Sequence, residues 1–323
     1  MTDAIIVRDL MKRFGEVEAL KGISFSVRTG EVFGLLGPNG AGKSTTINLL
    51  IGLARSDSGS KVIGGIDCTT DPRAAQRLIG VVPDESNLYP ELDGFDNLCF
   101  CGALYGMTKR QRESRASQLL NEFDLLGAAK RRFAGYSKGM KRRLTIAAGM
   151  MHSPPILFLD EPTTGLDVQS ARQLRELITR LRKQGTTIFL TTHNIAEAES
   201  LCDRVAFIVA GRIVKLDRVE ALIQPATSHH VMLIACKALP PNIVAGLNAA
   251  IQGLVVSEHE GGTIRIESMT PVPVGPVVRF LESKGATVTE ARRVQPSLED
   301  VFVEATGIAV AAMRPPTEQA EAP

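Results

Sequence analysis

GPNGAGKS, residues 37–44, sets a lysine and a serine behind three glycines in the order GxxxxGK[ST], between an apolar run, VFGLL, and a helix-forming one, TTINLLIGL. In that strand-to-helix setting the pattern predicts a phosphate-binding loop. Gly37, Pro38, Asn39, Gly40, Ala41 and Gly42 form the turn whose backbone N–H groups face phosphate oxygens. Lys43, Ser44 and Thr45 open the helix whose positive end adds to them. Lys43 is expected to bridge the terminal phosphates, and Ser44 to ligate Mg²⁺. PILFLDEPTTGLD, 155–167, supplies acids: an apolar strand ends in Asp160, placed to enter the Mg²⁺ shell. Glu161 follows and is suited to polarise water for attack on a γ-phosphate. TTH, 191–193, closes the run TTIFL, so His193 is expected at the same sheet edge, in reach of that phosphate. Lys43, Glu161 and His193 are the candidate catalytic set for hydrolysis of a nucleotide's γ-phosphate.

These residues need a scaffold that brings several strand ends together. From 1 to about 224, β-type runs alternate with helical patterns, with strand candidates at 32–36, 78–82, 156–159, 186–190 and 205–209. Four are nearly continuous apolar runs, as in strands covered on both faces of a parallel sheet. The stretch from about 87 to 150 is helical and reads as a subdomain inserted into the α/β core. QPATSHH marks a break, with 225–230 as a linker. Beyond it the order strand 231–236, helix 241–250, strands 254–257 and 263–267, helix 274–284 and strand 286–291 predicts a small ferredoxin-like α+β domain over 231–307. SLEDVFVEATG, 297–307, adds a last helix with Ser297 as cap and Glu299 and Asp300 in its first turn. Residues 308–323, including PPTEQAEAP, read as a disordered tail.

Composition narrows the function classes. Hydrophobic residues at 44% and charged residues at 22% describe a globular protein. A formal net charge of +2 argues against a dedicated nucleic-acid binder, and makes the basic run YSKGMKRRL, 136–144, a local feature. Five cysteines without CxxC spacing point to a reducing compartment rather than a disulfide framework or a metal cluster. MTDAIIVRDLMKRF is unlike a signal peptide. No stretch approaches the ~18 consecutive apolar residues of a spanning helix. The expected location is cytoplasmic, with any membrane role supplied by a partner.

The phosphate loop, the strand ending in Asp160-Glu161, TTGLD and the histidine after TTIFL, in this order, resemble the ATP-binding subunit of an ABC transporter, over about residues 1–224. The fold class so implied is α/β, a P-loop ATPase core with a helical subdomain plus the small C-terminal domain. In that family two ATPase domains meet head to tail, and YSKGMKRRL falls where relatives carry the LSGGQ signature. The resemblance therefore implies a second identical chain, with Ser137 and Gly139 of one reaching the γ-phosphate held by Lys43 of the other. Lys138 replaces the signature's first glycine and Met140 its glutamine, while Tyr136 stands for leucine. Phe14 matches the aromatic that stacks on adenine, and Asp167 the aspartate that communicates across the dimer. Relatives carry a glutamine after VVP that contacts Mg²⁺ and attacking water; here Asp84 stands there, followed by Glu85, and an acid can bind Mg²⁺ directly or through water.

VVPDESNLYPELDGFDNL, YSKGMKRRL and SLEDVFVEATG most resemble drug or antibiotic exporters of the daunorubicin-resistance type, whose membrane permease is a separate chain. The implied chain is peripheral at the inner face of the membrane, docked near residues 85–105. Apolar NLCFCGALYGM, 97–107, is either part of that surface or core. Two other readings share the ATP site: a soluble ATPase acting on nucleic acid or ribosomes, and an ATP sensor that does not turn over. The first is usually marked by paired ATPase domains or basic extensions, which are not evident here.

Overall fold

A computed structural model describes residues 2–227, 230–237, 239–240, 243–250, 254–259, 262–294 and 297–308. Along the chain come β1 (Asp3–Phe14), β2 (Val17–Arg28), β3 (Val32–Leu36), α1 (Lys43–Leu50), β4 (Ser58–Ile63), β5 (Ile66–Asp67), α2 (Pro72–Arg77) and β6 (Ile79–Val82). Three helices, α3 (Gly94–Leu104), α4 (Lys109–Glu122) and α5 (Lys138–Gly149), make the inserted subdomain. Then follow β7 (Ile156–Asp160), α6 (Val168–Lys183), β8 (Thr187–Thr192), α7 (Ile195–Leu201), β9 (Arg204–Val209) and β10 (Arg212–Arg218). The chain divides into two units after Arg218, the second running Val219–Glu304.

In the first unit the central sheet has the order β10-β9-β3-β8-β7-β6. Its interior pairings β9-β3, β3-β8, β8-β7 and β7-β6 are parallel, so the carboxyl ends of β3, β6, β7 and β8 share one edge. The apolar runs explain their centrality: Phe33, Leu35, Phe158, Leu159, Phe189 and Leu190 are all fully buried. A second, antiparallel sheet, β2-β1-β4-β5, is absent from the sequence reading. Its alternation is masked by bulges: the β1–β2 register shifts between Val7 and Leu10, where Asp9 takes φ 46°, so inward positions lose their period of two. Phe25 joins the two sheets, stacking on Phe33 at 5.3 Å and on Phe189 at 5.8 Å between ring centroids.

The second unit contains α8 (Val219–Thr227), β11 (His230–Cys236), α9 (Ile243–Ala250), β12 (Leu254–His259), β13 (Thr263–Ser268), α10 (Val274–Ser283), β14 (Val288–Val294) and all but the last two residues of α11 (Leu298–Thr306). Strand order β12-β13-β11-β14, antiparallel throughout, is the ferredoxin-like arrangement. Alternate residues Met232, Ile234, Ile264 and Ile266 share a core with Leu247 of α9 and Leu281 of α10. Ser297 caps α11, its Oγ accepting from the Asp300 N–H at 3.4 Å. The linker expected at 225–230 is displaced: α8 runs through Thr227, because Val219 and Leu222, three residues apart, are buried and extend helical order into a turn-like composition. Of the tail expected at 308–323, residues 309–323 lie outside the described residues.

Phe189 is buried against Phe25, Phe33 and Phe158. Phe189→Ala should therefore cost about 3–5 kcal/mol in a denaturant titration, whereas the same change at half-exposed Phe14 should cost well under 1 kcal/mol.

Candidate ATP site at the carboxyl edge of the sheet

The phosphate loop links the end of β3 to the first turn of α1. Gly42 has φ 110°, and a Cβ there would lie 2.8 Å from the Ala19 carbonyl oxygen, so conformation and space both require glycine. Lys43 is only 6% exposed. Its Nζ donates to the carbonyl oxygens of Gly37 at 2.7 Å and Pro38 at 3.2 Å, and lies 3.3 Å from Glu161 Oε1. A cavity of about 400 Å³ is bordered by Asn39, Gly40, Gly42, Lys43, Ser44, Thr45, Asp84, Asp160 and Glu161. Gly37 and Pro38 join it through the Lys43 ammonium, while Ala41 is buried behind it, its carbonyl accepting from Gly211 N–H at 3.0 Å.

Asp160 ends β7 and receives a hydrogen bond on Oδ1 from the Thr191 hydroxyl of neighbouring β8. Glu161 follows with φ 46°, left-handed for a residue with a Cβ and costing on the order of 1–3 kcal/mol. That turn brings its carboxylate to His193: Glu161 Oε2 lies 2.8 Å from His193 Nδ1 and accepts from Thr164 Oγ1 at 3.2 Å. An ionised carboxylate only accepts, so the proton in the His193 contact sits on Nδ1. The three residues expected to act together, Lys43, Glu161 and His193, are one connected group.

The other half of the expected site lies elsewhere on this chain. Ser137 caps α5, its Oγ accepting from Met140 N–H at 3.3 Å. Gly139 is buried, and a Cβ on it would sit 2.5 Å from Ser170 Oγ, so glycine lets α5 approach α6. Neither residue borders the cavity around Lys43. Asp167 is exposed and caps α6, accepting from Ser170 N–H at 2.9 Å and Ser170 Oγ at 2.7 Å. Lys138 extends over Gly165 of the same chain's TTGLD turn, which settles the direction of its side chain.

Asp84 borders the ATP cavity, and its carboxylate lies 3.9 Å from Arg142 Nη2. Phe14 is 53% exposed beneath the Lys12 ammonium, 5.1 Å from its ring centroid, and does not border the cavity. NLCFCGALYGM is partly core and partly surface: Asn97, Leu98 and Gly102 are buried, whereas Leu104 is 72% exposed and Phe100 and Tyr105 are half-exposed. Residues 20–164 match the family model described as ABC transporter. The doxorubicin resistance ATP-binding protein of Mycobacterium tuberculosis is 35% identical over 314 residues, spanning 94% of this chain and 93% of that protein. The chain belongs to the ABC transporter family.

It is one of the family's ATP-hydrolysing chains. The linearmycin resistance ATP-binding protein of Bacillus subtilis is 43% identical over 208 residues, 64% of this chain and 67% of that protein. An ATP-binding cassette solved as a dimer in a post-hydrolysis state with ADP and Pi superimposes with a TM-score of 0.61 at 26% identity, covering 66% of this chain and 98% of that one.

Two features of this ABC ATPase escaped the sequence reading. Arg142, counted in the basic run, is only 8% exposed and donates to five backbone carbonyls. Glu197 of α7 is also buried; burial raises its carboxyl despite hydrogen bonds to Thr192 and Thr163, which favours its neutral form near Glu161. The only signal for either was a charged residue spaced three or four positions from apolar ones, which is common on solvated helices.

Ser44, Asp160 and Asp84 border one cavity, with one Asp160 oxygen held by Thr191. One hydroxyl and two carboxylates suit Mg²⁺, which takes few protein ligands and completes its shell with water and phosphate oxygens. Among the described residues no group of three or more His, Cys, Asp or Glu is placed to hold a metal alone. Burial pushes the Asp84 carboxyl up, and the charges of Asp160 and Glu161 reinforce this against Arg142. Burial also pushes Glu161 up, but the His193 hydrogen bond and the Lys43 charge outweigh it and leave the carboxyl below its ordinary value. A depressed carboxyl contributes stability above its unfolded pKa and loses it as pH falls through the folded one. The stability lost in Glu161→Gln, read by urea denaturation without nucleotide, should be largest near neutral pH and shrink as pH falls through the carboxylate range. A difference that grows on acidification would contradict the assignment.

Proposed function

We propose that this chain powers an exporter of drug-like or antibiotic molecules whose membrane-spanning permease is a separate protein, and that it works as a pair of identical chains closing on two ATP molecules. The observation that carries the pairing is the separation within one chain: Ser137 and Gly139 do not border the cavity that holds Lys43, so a complete site requires the signature of a second copy. The solved dimer of a related cassette supports the same arrangement.

In this reading the loop from Gly37 to Thr45 cradles the phosphates, and Lys43 exchanges its carbonyl partners for their oxygens. Ser44, Asp160 and Asp84 hold Mg²⁺, which neutralises charge on the phosphoryl oxygens when bound. Glu161, held ionised and oriented by His193 Nδ1, accepts the proton of the attacking water. Backbone donors and the Lys43 ammonium stabilise the charge that spreads over the transferred group. Phe14 stacks on adenine, and Asp167 links the turn before α6 to the facing chain while capping that helix.

Export is supported by the relatives' resistance names. Among the described residues no helix is long and apolar enough to cross a membrane, which agrees with a separate permease. The docking surface is an apolar groove of about 650 Å³ bordered by Ile51, Leu53, Val81, Leu104 and Tyr105, with Arg73 and Arg77 at its polar side. Leu53 and Leu104 are both largely exposed there, and exposed apolar clusters mark interaction sites. In this reading the chain works at the cytoplasmic face of the membrane, docked on its permease.

Glu161→Gln in the tagged full chain tests both parts of the proposal. The variant should bind ATP and still purify from membranes with a multi-spanning protein, but lose turnover by about 10²- to 10⁴-fold. Normal turnover would sink the role of Glu161, and a wild-type chain that never leaves membranes with such a partner would sink the transport reading.

A further inference from the structure

Arginine carries five N–H donors and no acceptor, and at Arg142 each is matched by a backbone carbonyl. Nε donates to Pro162 O at 2.8 Å. Nη1 donates to Pro83 O and to Asp84 O, the latter at 3.0 Å. Nη2 donates to Asp160 O, at 2.7 Å, and to Glu161 O. The five acceptors are two consecutive runs, Pro83-Asp84 after β6 and Asp160-Glu161-Pro162, which begins with the last residue of β7. The contact of Nη2 with the Asp84 carboxylate is long, 3.9 Å to Oδ1, so the buried charge is satisfied chiefly by carbonyl dipoles rather than by an acid.

This geometry accounts for the unusual backbone at Glu161. Three successive carbonyls do not converge on one cation in an extended strand, where they alternate in direction. The left-handed φ of 46° at Glu161 accompanies the turn that lets them do so, and five charge-assisted hydrogen bonds offset its strain. The same turn sends the Glu161 carboxylate to Lys43 and His193. Arg142 therefore joins α5, which begins at Ser137, to the backbone of the candidate base and to the loop carrying Asp84.

We propose that Arg142 is a positioning residue for hydrolysis, a five-carbonyl clamp that makes the Glu161 turn and the Asp84 loop move as one unit with the signature helix. The proposal rests on the reading of Glu161 as the base. Lysine cannot replace the clamp, since an ammonium has three donors and no planar fork. The phosphate loop makes none of these hydrogen bonds, so nucleotide held by that loop without Mg²⁺ binds independently of the clamp.

Arg142→Lys and Arg142→Ala in the full chain test this, with ATP affinity, kcat and amide hydrogen exchange measured together. Expected are ATP affinity, measured without Mg²⁺, within about threefold of the parent chain and kcat lowered on the order of 10²-fold, the scale of an ångström-level misplacement. Protection should fall together in the peptides around 82–86 and 158–164, while that around 37–48 is kept. Ethylguanidinium, and not methylammonium, should restore part of kcat to Arg142→Ala. Unchanged kcat and exchange in Arg142→Lys, loosening of one loop alone, uniform loss of protection across the chain, or failure of both variants to fold would each overturn the proposal. If instead Glu161→Gln hydrolyses ATP normally, the base assignment fails, while the joint loosening of the two loops still decides whether the clamp exists.

Discussion

An ammonium group buried at the edge of a parallel sheet is the constraint around which the site is arranged. Lys43 sits at 6% exposure between two carbonyls and the Glu161 carboxylate, and a buried charge without such partners would cost several kcal/mol. Meeting that requirement brings the ends of β3 and β7 to one place, and the end of β8 joins them through the contact of His193 with Glu161. It also holds Glu161 ionised against the effect of its own burial. The partners that stabilise the lysine without nucleotide are therefore the same groups that the proposed site sets around a γ-phosphate.

A second constraint operates between helices. Gly139 admits Ser170, Ser170 is hydrogen-bonded to Asp167, and Lys138 lies over Gly165. The signature segment and the TTGLD turn thus form one rigid corner within each chain, and Arg142 extends that corner to the acidic strand end. In the proposed pairing each corner would face its neighbour's phosphate loop as a unit. Replacement of the signature's first glycine by Lys138 is understandable here, because its side chain packs along its own chain's turn.

Much of this was legible in the sequence because the central strands are apolar on both faces and the phosphate loop has a strict pattern. GPNGAGKS, Asp160-Glu161 and His193 meet as their positions after apolar runs implied. The antiparallel sheet was hidden by bulges near Asp9 and by strands with one wet face, which blur alternation. Arg142 was hidden for another reason: burial of a guanidinium depends on five carbonyls from residues 83–84 and 160–162, and composition around position 142 signals only a basic helix. Gly139, expected to reach the γ-phosphate of a second chain, makes room for Ser170 within its own. The C-terminal unit was readable through clear alternation in β11 and β13, with Met232, Ile234, Ile264 and Ile266 on the inward face.

The central claim is that the ATP site is completed by a second copy of the chain. Mixing a Lys43→Ala chain with a Ser137→Ala chain tests it most directly. If sites form between chains, each mixed pair has one site with both defects and one with neither, so the mixture regains ATP hydrolysis that each variant lacks alone. A mixture confirmed to contain mixed pairs, yet no more active than its separate components, would contradict assembly of the site across two chains.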